Sequence, residues 1–78
     1  MDLNKLNSWI YRALAGDADA WLTFDELDKL LARDAKDLRD EVRRSYLRGE
    51  LGRMIASGQI VRDKNTARYK PSDDVNLF

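Results

Sequence analysis

Apolar side chains recur along this chain at helical steps and are interrupted by short polar runs. Leu3, Leu6, Ile10 and Leu14 follow one another at intervals of three and four, with Asn4, Lys5, Ser8 and Arg12 on the opposite side. That spacing predicts a first helix over residues 2–15, with Trp9 flanking the stripe and closing the core. Gly16 ends it, and Asp17, Ala18 and Asp19 make the connection. Residues 20–22 can form a very short strand. Thr23 and Glu26 then stand three residues apart, the spacing of a capping box, and Asp25 and Glu26 lie at the positive end of the helix dipole. Phe24, Leu27, Leu30 and Leu31 supply the buried face of that second helix.

Residues 32–44 are harder to phase. A single helix over 38–57 would place Leu38 and Val42 roughly opposite Leu51, at about 100° per residue. One helix in so small a domain cannot bury both faces, so a break is expected between residues 40 and 46. Either the second helix extends through Ala35, Leu38 and Val42, or a separate short helix begins at Asp37. From Ser45 onward the phase follows Leu47, Leu51, Met54 and Ile55. Ser45, Tyr46, Gly49, Gly52, Arg53 and Ala56 then face outward, with Arg48 at the flank. The two glycines cost this helix about 1 kcal/mol each relative to alanine, and a close approach by another backbone would account for them. Gly58 is a natural stop. Two β-prone runs, 59–62 and 67–70, flank a polar turn at 63–66 and predict an antiparallel hairpin. The expected core is Leu6, Ile10, Leu27, Leu31, Leu47, Leu51, Met54 and Ile60.

Seventy-eight residues suffice for one small domain, taken as 1–72, followed by a short acidic tail at 73–78. A hydrophobic content of 44% supports a folded chain, and the 36% of charged residues describe a solvated surface. No apolar run approaches the roughly 18 residues of a membrane span. The opening residues lack the layout of a signal peptide, so a cytoplasmic protein without a membrane partner is expected. The absence of cysteine removes disulfides and thiolate metal sites, and with histidine also absent the commonest acid–base and nucleophilic chemistry is missing. Ser8, Ser45, Ser57 and Ser72 have no candidate base other than lysine. No enzyme, catalytic residue or cofactor is expected.

The net charge of zero hides a split: residues 1–35 sum to −3, residues 36–70 to +5, and the tail to −2. Phosphate contact depends on local potential, because fields are screened over about 10 Å at physiological salt. The basic half is also the one that contains the last helix and the hairpin.

There the pattern L-x3-L-x2-M-x3-G-x-I, from Leu47 to Ile60, resembles the third helix and following strand of winged helix-turn-helix domains. The resemblance extends over most of the chain. It implies a mainly α fold of three or four helices with a C-terminal two- or three-stranded antiparallel wing, in which helix 45–57 reads double-stranded DNA and the wing, 59–70, grips its backbone. Within that helix, Tyr46 and Arg53 would reach base edges or phosphates, beside Arg48, Gly49 and Gly52. Arg43, Arg44 and Ser45 would contact backbone near the helix N-terminus, and Lys64, Asn65 and Arg68 would act from the wing. The expected function is that of a small transcriptional regulator; the alternative is a docking module for protein, since winged helix folds serve both. A plainer reading of the arginines is that they solvate a helix and pair locally, as Arg44 can with Asp40 at i,i+4.

The acidic stretch before the second helix resembles a degenerate EF-hand loop, with Asp17, Asp19 and Glu26 at ligand positions and Leu22 at the central apolar one. Ala15 stands where an acid is needed and Ala20 where glycine permits the sharp turn, and no second acidic loop pairs with it. A capped helix after an acidic turn is expected, with no metal.

Overall fold

The structure, a computed structural model, describes residues 2–16 and 21–72. Among these residues it forms three helices and a three-stranded antiparallel sheet, a layout compatible with a winged helix. Asp17, Asp19 and the tail 73–78 lie outside the described residues.

The chain enters through a single 3-10 turn, Leu3–Lys5, whose cap Asp2 accepts the N–H of Asn4 at 3.0 Å. This turn feeds directly into α1 (Leu6–Ala15), where Leu6, Ile10 and Leu14 are buried as the periodicity requires. Trp9 packs at the core edge and its Nε1 donates to Asp34 Oδ2 at 2.7 Å. After the connection comes β1 (Leu22–Thr23), which shares only Leu22 with the expected strand at 20–22. Thr23 then caps α2 (Phe24–Asp34). The capping box is complete: Glu26 N–H donates to Thr23 Oγ1 at 3.2 Å and Thr23 N–H to Glu26 Oε1 at 3.0 Å.

The largest departure from the sequence pattern follows. α2 stops at Asp34, and α3 runs without interruption from Asp40 to Ala56, so no phase break occurs between residues 40 and 46. The helix starts five residues before position 45. Two placements remove the conflict that suggested a break. Leu38 precedes the helix and packs half-buried against the core, and Val42 is left 39% exposed. Arg43, four residues before Leu47, takes the buried position instead, so that Arg43, Leu47, Leu51 and Met54 form one stripe. Ile55, at 39% exposure, stands outside it.

α3 closes in a Schellman arrangement. Gln59 N–H reaches Met54 O at 2.9 Å and Gly58 N–H reaches Ile55 O at 3.1 Å, with Gly58 at φ +81°. That turn launches β2 (Ile60–Arg62), which pairs with β3 (Arg68–Pro71) in the register Ile60 to Pro71 and Arg62 to Tyr69. β1 adds to the other side of β3, Leu22 opposite Tyr69, giving the order β1-β3-β2. All eight expected core residues are buried, joined by Leu14 and Ala35. Each fully buried leucine among them contributes about 1.5–3 kcal/mol, so the stripe of α3 secures the placement of everything on its outer side. No helix among the described residues is long and apolar enough to cross a membrane, and no group of them could hold a metal ion.

Candidate nucleic-acid interface

α3 packs on α1, α2 and β2, and its exposed surface falls into two flanks, one beside the start of α2 and one beside the entry turn. Arg43 belongs to neither. Its Nε and Nη2 donate to the two oxygens of Asp28 at 2.8 and 3.1 Å, and its Nη1 to Asp40 at 2.8 Å. Only 8% of Arg43 is exposed. The hydrogen bond from Arg43 holds the Asp28 carboxyl below its ordinary range, and Asp28 in turn raises the guanidinium further. Arg43 therefore ties α2 to α3 and is withdrawn from any ligand. A signal for this pair existed in the sequence: Asp28 and Arg43 each occupy a core-phase position on their helices, with opposite charge.

The first flank faces the start of α2. Arg44 and Arg48, one turn apart, both lie over the Phe24 ring, 5.4 and 5.2 Å from its centroid. Arg44 Nη2 also approaches Asp25 Oδ1 at 3.4 Å, not the Asp40 that i,i+4 spacing suggested. From β3, Arg68 Nη1 donates to Glu26 Oε1 at 3.1 Å and to the Trp21 carbonyl. Lys70 Nζ sits 4.3 Å from the Trp21 ring centroid. Accepting the Thr23 backbone N–H is the main reason the Glu26 carboxyl titrates below its ordinary range; the Thr23 hydroxyl and the Arg68 charge act the same way. Cations from a helix and a strand thus converge on one turn of α2. Phe24, Trp21 and Lys70 were not among the expected site residues, because the sequence shows none of the tertiary geometry that makes the two rings platforms for cations.

The second flank faces the entry turn. Ser45, Tyr46, Gly49 and Arg53 line a groove of about 350 Å³ with Leu3 and Asn4. Tyr46 is 50% exposed, and Arg53 Nη1 lies 3.5 Å from Glu50 Oε2 on its own helix. A Cβ added at Gly49 or Gly52 would meet nothing within 4 Å, so packing within the chain does not require either glycine.

Because the helix begins at Asp40, Arg44 and Ser45 lie past its first turn, which carries Asp40 and Glu41 instead. Arg43, Arg44 and Ser45, expected beside the helix N-terminus, therefore stand along its body. Lys64 and Asn65 are exposed in the hairpin turn, where Asp63 Oδ1 accepts the Asn65 N–H at 2.9 Å and is held below its ordinary pKa by doing so. The structure thus groups Arg44, Arg48 and Arg68 around α2, groups Ser45, Tyr46, Gly49 and Arg53 around the groove, and turns Arg43 inward. Comparison of the chain with protein-family models, curated proteins and solved structures finds no match.

Proposed function

We propose that this chain is a winged helix domain that binds double-stranded DNA as a small cytoplasmic transcriptional regulator, without catalytic activity. The observation that carries the reading is the convergence of Arg44 and Arg48 from α3 and Arg68 from β3 on the first turn of α2. The element order, with β1 between the first two helices and β2 and β3 forming a terminal hairpin, suits that fold. In this reading α3 enters the major groove while Lys64 and Asn65 in the hairpin turn meet adjacent phosphates. The excess of +5 over residues 36–70 supplies the local potential. Arg43 takes no part.

A salt-titrated binding assay on random duplex DNA tests this. The logarithm of the affinity falls with the logarithm of salt by about 0.9 per phosphate neutralised, and Lys64→Ala flattens that slope by about one such step. A wild type that shows no duplex binding even at low ionic strength sinks the proposal.

One observation favours a protein-docking module instead. The groove beside Tyr46 and Gly49 is open, and a partner backbone could approach Gly49 closely. That alternative takes over if duplex binding is absent.

A further inference from the structure

Two of the three clustered arginines are already paired with carboxylates in the free protein. We propose that Asp25 and Glu26 act as built-in competitors for DNA phosphate, occupying Arg44 and Arg68 until a duplex takes their place and so keeping affinity low and its salt dependence shallow. The inference rests on the DNA-binding reading and concerns the regulation of that same site.

The pairs have the exposure an exchange requires. The Arg44 and Asp25 side chains are 47% and 79% exposed, those of Arg68 and Glu26 43% and 46%. Exposed pairs contribute little by themselves, so a duplex presenting closely spaced phosphates can displace them. Arg43, with its buried two-point grip on Asp28, marks the opposite case on the same helix. Each exchangeable arginine also has a second hold: Arg44 lies over Phe24, and Arg68 donates to the Trp21 carbonyl. When the carboxylate gives way, the guanidinium remains in position for a phosphate.

The two acids differ in how they give way. Asp25 is largely solvent-exposed and can swing aside. Glu26 is anchored, because its Oε1 also accepts the Thr23 N–H of the capping box. It stays as a fixed negative charge beside any phosphate on Arg68. A carboxylate left without its arginine on binding, whether it moves or stays, gathers a cation from solution, which offsets the cation that the DNA releases. Each such exchange hides up to about 0.9 of salt slope.

The test measures duplex affinity across a salt series for the wild type, Asp25→Asn, Glu26→Gln and Asp34→Asn, with melting curves for each. Glutamine preserves the capping box, so Glu26→Gln removes charge and leaves the acceptor. Asp34, which accepts from Trp9, stands about 12–14 Å further along α2, beyond the screening length of about 10 Å at 0.1 M salt. It therefore controls for net charge alone. We expect Asp25→Asn and Glu26→Gln each to tighten binding by about 2–5-fold, Glu26→Gln the more. The slope should steepen toward one further phosphate for each, and Asp34→Asn should change neither reading. In an Arg44→Ala background the gain from Asp25→Asn should vanish. Unchanged affinity and slope in the two variants overturn the inference while leaving DNA binding intact. So does an equal gain from Asp34→Asn, or a gain that survives Arg44→Ala. If Glu26→Gln melts early, Asp25→Asn decides alone. If neither wild type nor variants bind at low salt, the DNA-binding reading itself has failed.

Discussion

The two flanks of α3 share one helix and one buried stripe, yet they present opposite kinds of surface. Toward α2, long cationic side chains are held in place by rings, carboxylates and a carbonyl. Toward the entry turn the surface is small-residue backbone, one half-exposed tyrosine and an open groove. If the first flank takes a charged ligand, its guanidinium groups lose less freedom on binding than unanchored ones would, because each already has a contact within the chain. The second has nothing positioned; what it offers is access. Which flank faces outward at which angle is decided on neither of them, but by the stripe of Arg43, Leu47, Leu51 and Met54.

Breaking that stripe at its polar end should have the largest effect. Asp28→Ala leaves Arg43 in the core with only Asp40 for company, and loss of a buried partner costs about 3–5 kcal/mol. At about 4–8 °C per kcal/mol for a domain of this size, thermal melting should show a drop beyond about 10 °C. The double variant Asp28→Leu with Arg43→Met should recover most of it, because well-packed apolar side chains of similar volume replace such pairs at little cost. The same pair makes the fold sensitive to acid. The Asp28 carboxyl titrates lower in the folded chain than in the unfolded one, so its contribution is present above the unfolded value and lost as pH falls through the folded one. Melting temperature should therefore drop below the ordinary carboxylate range, and Asp28→Asn should flatten that drop. An acid profile unchanged by Asp28→Asn would mean that the pair does not hold the stripe.

This pair also shows what sequence reasoning can and cannot see. Features made by neighbours in the chain were legible: the capping box at Thr23, the glycine stop at Gly58, the hairpin, and every expected core residue. Each follows from spacing and local backbone chemistry. The start of α3 was harder to read, because Val42 is apolar and Arg43 is charged: although the phase of Leu47 carried back one turn falls on Arg43, apolarity alone assigns the valine inward. The structure does the reverse, since two carboxylates stand ready for the arginine. The site was divided by the same cause. Arg44, Arg48 and Arg68 looked like one basic surface with Tyr46 and Arg53, but only the packing of α2 against α3 shows that Phe24, Asp25 and Glu26 gather the first three and leave the other two behind.

A smaller effect separates the flanks directly. Arg44→Ala and Arg48→Ala should each weaken duplex binding on all sequences, with a slope change of at most about 0.9. The change for Arg44 should be the smaller, because its own carboxylate already offsets part of it. Arg53→Ala should leave the slope nearly unchanged. If its side chain reaches a guanine, discrimination between sequences should fall by about 1–3 kcal/mol instead. Binding by Arg53→Ala that is unchanged in both strength and preference would assign the groove flank to something other than DNA.

The smallest expected change, at Gly49 in the groove and at Gly52 beside it on the helix's outer face, is the most direct measure of what the exposed side of α3 is for. Gly49 and Gly52 lie mid-helix with empty space where a Cβ would be, so nothing in the folded chain opposes alanine at either position. Gly49→Ala and Gly52→Ala should each raise stability by about 1 kcal/mol, read as a few degrees in melting temperature. A partner that comes close would account for a residue that costs the free chain stability and serves none of its packing. Gly49→Leu separates the two effects, because it also favours the helix but fills the approach. If Gly49→Leu is more stable than the wild type and loses duplex binding, DNA lies against this face as well as the arginine flank. If it is more stable and binds DNA normally, the two flanks serve different partners, and the groove beside Tyr46 remains open to a protein while Arg44, Arg48 and Arg68 hold the duplex.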